Sequence, residues 1–178
     1  MITDKNFLTN DFALLQNPDS LTVVVSSFLA KSGLVVDQNK FVAPKFVAEI
    51  KAAVVGLTNV VLFNSQFPSS EHFIITAIRV LQGASATPQV AAYTPGIADG
   101  TVQAGLMNIV NNGVVNLKQM PLSVFNQGTN DPSAGFLCLD RPIVWAGQTD
   151  LAVNLTWAVA PTLALGCLSV QLWGVKLI

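Results

Sequence analysis

Residues 151–175 read LAVNLTWAVAPTLALGCLSVQLWGV, a run without a charged side chain. As a helix it would be long enough to cross a bilayer, which takes about 20 apolar residues, so its internal pattern decides the fold. Leu151, Val153, Leu155, Trp157 and Val159 fall on one parity, and Ala152, Asn154, Thr156, Ala158 and Ala160 fall on the other. A period of two marks a strand with one buried face. Pro161 and Gly166 then bracket a turn, after which Leu168, Val170 and Leu172 oppose Ser169 and Gln171. The stretch is predicted to be a β-hairpin and not a membrane-spanning helix.

Beyond Leu172 the apolar parity passes to Trp173, Val175 and Leu177, with Gly174 at the switch. Two readings stay open. A β-bulge at Gly174 would move the buried face by one residue; alternatively the terminal strand is buried on both faces, where parity carries no information.

Working towards the N-terminus, short apolar runs are punctuated by Gly, Pro, Asn and Ser, the layout of a β-sandwich or barrel. Strands are expected at Val54–Phe63, covered on both faces, and at Phe73–Leu81, where Ile74, Ile78 and Val80 share a face opposite Arg79. Gly83–Gly100 reads as a long connection between two sheets. Val102–Val110 and Val114–Lys118 form a hairpin around Asn111, Asn112 and Gly113, residues suited to the left-handed conformations of a tight turn. Leu122–Phe125, Phe136–Leu139 and Ile143–Trp145 complete a series of about eight to ten antiparallel strands, the number of a jelly roll. Leu21–Leu29 is a further strand candidate. Lys45–Val55 fits two templates: a helix starting at Pro44, or a strand in which Phe46, Ala48 and Ile50 alternate with Val47, Glu49 and Lys51. The fold class is therefore all-β, a single jelly-roll barrel over residues 19–178, with room for one short helix. Residues 1–18 read as an N-terminal arm that gains its contacts by packing on something else.

At 178 residues the chain has the size of one domain. Its surface is the unusual part. Apolar residues make up 51% and charged residues 11%, against about 25% charged in an average soluble domain. So few charges cannot cover an ordinary monomer, and the expectation is a surface covered by copies of the chain or by partners. A net charge of −1 provides no basic footprint, so no direct nucleic-acid contact is expected. The first ten residues, carrying Asp4 and Lys5, lack the basic start and apolar stretch of a secretory signal, and synthesis in the cytoplasm follows as the expectation.

The residues offer little chemistry. His72 is the only histidine, and neither a GxSxG elbow nor a phosphate-binding glycine loop accompanies it. An edge histidine bonded locally is the plainer role. Cys138 and Cys167 lack metal-ligand spacing and read as small buried side chains. Asp99, Asp131, Asp140 and Asp150 fall in predicted loops, where calcium ligation and turn formation are both open. No catalytic, cofactor or metal residue is nominated, and no small-molecule substrate is expected. Trp145, Trp157 and Trp173 raise an alternative, a carbohydrate-binding β-sandwich of the lectin or adhesin kind, although Trp157 shares parity with core residues.

Two stretches carry a family likeness: EHFIITAIR at 71–79, and RPIVWAGQ at 141–148 continuing to LSVQLWGV at 168–175. In them the chain resembles the capsid proteins of tailless icosahedral phages that enclose a membrane, whose shells are built from upright single or double jelly-roll barrels. The likeness runs through the C-terminal two thirds and implies a single-barrel major capsid or vertex protein located in the virion. It further implies homo-oligomers (trimers, pentamers or pseudo-hexamers), contacts with other virion proteins, and a peripheral contact with an internal membrane.

Overall fold

The structure, a computed structural model, describes residues 41–66, 68–69, 71–126, 135–162 and 166–177. The arm expected at 1–18 and the strand expected at 21–29 lie outside these residues. Nine strands and one short helix are described: β1 (Phe41–Ala53), β2 (Asn59–Gln66), β3 (His72–Gly83), β4 (Tyr93–Pro95), α1 (Gly100–Gln103), β5 (Leu106–Asn111), β6 (Val114–Pro121), β7 (Phe136–Trp145), β8 (Asp150–Thr156) and β9 (Cys167–Leu177).

They form two antiparallel sheets. Sheet A runs β1-β9-β3, with β7 and the short β4 sharing the far edge of β3, and sheet B runs β2-β8-β5-β6. With β4 set aside, the bonded pairs β1:β9, β2:β8, β3:β7 and β5:β6 are nested, first strand with last and inward from there. That nesting is the wrapping of a jelly roll. The two sheets close on one core, to which β3 contributes Phe73, Ile75, Ile78 and Val80, β9 contributes Leu168, Val170 and Leu172, and β8 contributes Leu151, Val153 and Leu155.

In β8 the alternation is realised: those three residues are fully buried and Ala152, Asn154 and Thr156 are half-buried. The strand ends at Thr156, four residues before the predicted end. Trp157 stays buried outside the ladder because its backbone N–H bonds to Thr58 O at 2.9 Å and its indole N–H bonds to Val102 O at 3.0 Å. Val159, released from the sheet, is 76% exposed.

Of the two readings of Lys45–Val55, the strand is the one formed. Ile50 pairs with Val170, and Ala48, Ile50 and Ala52 pack towards the core while Glu49 and Lys51 lie on the outer face. Of the two readings of β9, the strand buried on both faces is the one formed, and the bulge lies in the neighbouring strand. Ile75 pairs with Gly174 but Ala77 with Trp173, so the extra residue is Thr76 in β3. β9 keeps its parity and is buried on both faces: Leu172 points to the core, while Trp173 packs on the other side with Ala77 and Phe136. Gly174 sits where a Cβ would run into the Ile74 carbonyl oxygen, which is why this strand carries a glycine opposite the bulge.

The bulge also corrects the face assignment within β3. Ile78 and Val80 do share a face opposite Arg79, but Ile74 lies with Arg79 and away from the core, because one extra residue inverts parity on either side of Thr76. Three further expectations fail locally. Val54–Phe63 is not one doubly covered strand: 54–58 is a turn region, and β2 is an edge strand with Val61 55% exposed. The strand expected from Val102 starts at Leu106, because Asp99 accepts from the backbone N–H of Thr101 and Val102 and caps α1. Leu122–Phe125 is a 3-10 turn and not a strand; its threefold repeat places Leu122 and Phe125 on one side, and both are buried. The 83–100 stretch does connect sheet A to sheet B, and Asn112 (φ 48°) with Gly113 (φ 76°) makes the tight hairpin expected between β5 and β6.

Candidate assembly surface

The residues with chemical potential are dispersed. His72 opens β3, half-buried, and its Nδ1 accepts from the Gly147 backbone N–H at 3.1 Å, a local structural bond. Beside it Lys176 pairs with Glu71 at 2.8 Å. Cys167 is buried beside Gly83 at the end of β3, and Cys138 is half-buried. The Tyr93 phenol near Cys167 is pushed far up, first by burial and then by the thiol and the Glu49 carboxylate.

Asp99 and Asp150 fall at opposite ends of the barrel. Asp99 also accepts from Thr101 Oγ1, and that bond first of all holds its carboxyl below the usual range. Asp150 accepts from Gln66 Nε2 at 2.6 Å. The Asp131 and Asp140 side chains are outside the described residues. Among the described residues no three His, Cys, Asp or Glu side chains converge on a point that would hold a metal ion.

Two of the three tryptophans are core residues. Trp145 is 3% exposed, donates to Thr149 O at 2.8 Å and meets Phe63 edge-on at 6.4 Å. Trp157 is 5% exposed. Neither offers a face for a sugar to stack on. Trp173, half-buried, lies on the outer face of sheet A and donates to Gln171 Oε1 at 3.1 Å.

That outer face is polar and aromatic in rows set by the register. Glu49, Gln171, Arg79 and Phe136 lie side by side across β1, β9, β3 and β7. Gln171 and Ser169 both donate to Glu49 Oε1, at 3.0 and 2.5 Å, and the Arg79 guanidinium stands 4.7 Å from the Phe136 ring centre. Burial acts to raise the Glu49 carboxyl, but the two hydrogen bonds and Lys51 outweigh it and the net displacement is downwards.

Elsewhere the exposed residues include eight large aliphatic ones among polar neighbours. On one side the sandwich is open: the edge strands β6 and β7 flank a cleft of about 330 Å3 lined by Leu117, Met120, Leu137, Leu139 and Ile143, with Asn116 and Cys138 at its margin. Further along β6, Val114 and Val115 are 63% and 51% exposed.

The two ends of the barrel differ in kind. The β1–β2, β3–β5, β6–β7 and β8–β9 connections all emerge at one end. There Val55, Leu57, Val90, Val124 and Val159 are all exposed, Val90 and Val159 by more than three quarters. Among the described residues of these connections Asp99 is the only charged one. Glu71, His72, Asp150 and Lys176 stand at the other end.

Sequence reading anticipated a surface short of charge but not its placement, because four separate connections meet only once the strands are wrapped. No family model matches the chain and no curated protein matches it, so its role rests on the barrel's own geometry.

Proposed function

We propose that the chain is a structural subunit, a virion capsid protein whose barrels pack side by side. The observation that carries this reading is the open side of the barrel, where an apolar cleft between β6 and β7 continues into exposed valines on an edge strand. An exposed edge with aliphatic side chains is a surface that pairs with another chain unless something blocks it. Burial of apolar surface there, at about 25 cal/mol per Å2, supplies the drive for assembly. A jelly roll suits the task because its sides can tile while its end loops vary without disturbing the ladder. The low charge content of the whole chain supports the same reading.

The test is the solution state of the full-length protein, by light scattering coupled to size exclusion and by negative-stain microscopy. Trimers, pentamers or closed particles are expected, and Val115→Glu on β6 is expected to remove them. A protein that stays monomeric at high concentration overturns the reading. Glycan-array binding without assembly would put a carbohydrate-binding module in its place.

A further inference from the structure

We infer that the outer face of sheet A is the docking site for a segment of the same chain, residues 1–40. This contact lies within one chain and does not depend on the lateral packing proposed above.

Burial shows that the face is covered. Beyond the row of Glu49, Gln171, Arg79 and Phe136, it carries Ile74, which the register sets between Val175 of β9 and Val144 of β7. These three point away from the core, because Phe73 and Ile75 on β3, and Ile143 and Trp145 on β7, point into it. An antiparallel sheet packed on one side only leaves its other face to water. Ile74 and Val175 are instead 0% exposed. Among the described residues the outer cluster of Ala77, Phe136, Cys138 and Trp173 includes neither of them, and nor does the core.

Position and composition select the occupant. Apart from residues 1–40, the stretches outside the described residues are 67, 70, 127–134, 163–165 and 178. Three of these are single residues. Residues 127–134 read QGTNDPSA and contain no large apolar side chain. Residues 163–165 precede Cys167, at the opposite end of β9 from Val175. Residues 1–40 lead into Phe41, which pairs with Leu177, two residues from Val175. At strand spacings of about 4.8 Å and a rise of about 3.4 Å per residue, the segment joins the sheet within about 10 Å of Val175. It also holds the side chains such a face takes: Phe7, Phe12, Leu14 and Leu15, then the apolar run 21–29.

Tethering favours the chain's own segment over that of a neighbour. A short tether sets a local concentration of about millimolar, which a second copy has to outcompete.

The experiment uses the full-length chain with the photo-crosslinking residue p-benzoylphenylalanine (Bpa) at one position. Trp173→Bpa and Val144→Bpa place it at half-buried positions of this face, and Val61→Bpa places it at an exposed position of sheet B. After irradiation and digestion, mass spectrometry is expected to find crosslinks into residues 1–40 from positions 173 and 144 and none from position 61. Circular dichroism checks that each variant folds. In a mixture of unlabelled and isotope-labelled chains, each crosslink is expected to join peptides of one label. Absence of crosslinks into residues 1–40 from both face positions overturns the inference, as do equal crosslinks from position 61. Pairs of mixed label overturn it in favour of a second copy.

Discussion

Sheet A and sheet B are built from similar residues but solve different problems. In sheet B, β8 has its core residues on one parity and half-buried residues on the other. In sheet A, β3 and β9 are buried nearly throughout, and the outer face carries its own packing between Ala77, Phe136 and Trp173. A strand with one wet face has its register set by the hydrophobic pattern. A strand with two dry faces does not, and sheet A sets its register by shape: an extra residue at Thr76 and a position opposite it, Gly174, that has no room for a side chain.

The largest effect should come from removing that device. Deleting Thr76 makes the ladder with β9 regular but turns Phe73 and Ile75 out of the core and Ile74 into it. The expected outcome is loss of cooperative folding, seen as loss of near-ultraviolet dichroism and of a urea transition. In sheet B the comparable disturbance is an ordinary cavity. Leu155→Ala, at a fully buried position of β8, should cost about 3 kcal/mol in urea denaturation and leave the fold intact.

The smallest effect separates the outer face of sheet A from its core. The Glu49 carboxyl is held below its ordinary value of 4.5, so its contribution is present above that pH and is lost as the pH falls through the lower folded-state value. The group is substantially exposed, so the difference in stability between wild type and Glu49→Gln should shrink by no more than about 0.5 kcal/mol between pH 7 and pH 3.

What was legible in the sequence follows the same division. The alternation from Leu151 to Leu155 and the Asn112–Gly113 turn each rest on local chemistry, and both were found where expected. The face of Ile74 was misassigned because the one polar residue of 73–78, Thr76, is itself the bulged residue and is buried, so it marks no outer face. Leu122–Phe125 is four residues long and mostly apolar, which fits a strand and a 3-10 turn equally; the buried pair three apart decided it. The candidate surface was half legible. Each of the four connections that emerge at the end carrying Val90 and Val159 lacks Lys and Arg in the sequence, but only the nested pairing of the strands brings the four together. The cleft between β6 and β7 has no sequence signal, since it arises from two strands in different sheets.

The position of β9 has a consequence for biosynthesis. It is the last strand described, yet it lies in the interior of sheet A, hydrogen-bonded to β1 on one flank and β3 on the other. Until it arrives, both strands expose an unpaired edge and the apolar face between them stays wet. The chain therefore emerges from the ribosome as a sticky half-barrel, with ladders that span more than a hundred residues still to form. Until β9 inserts, the open edges of β1 and β3 are also free to pair with another chain, so closure of the barrel competes with aggregation.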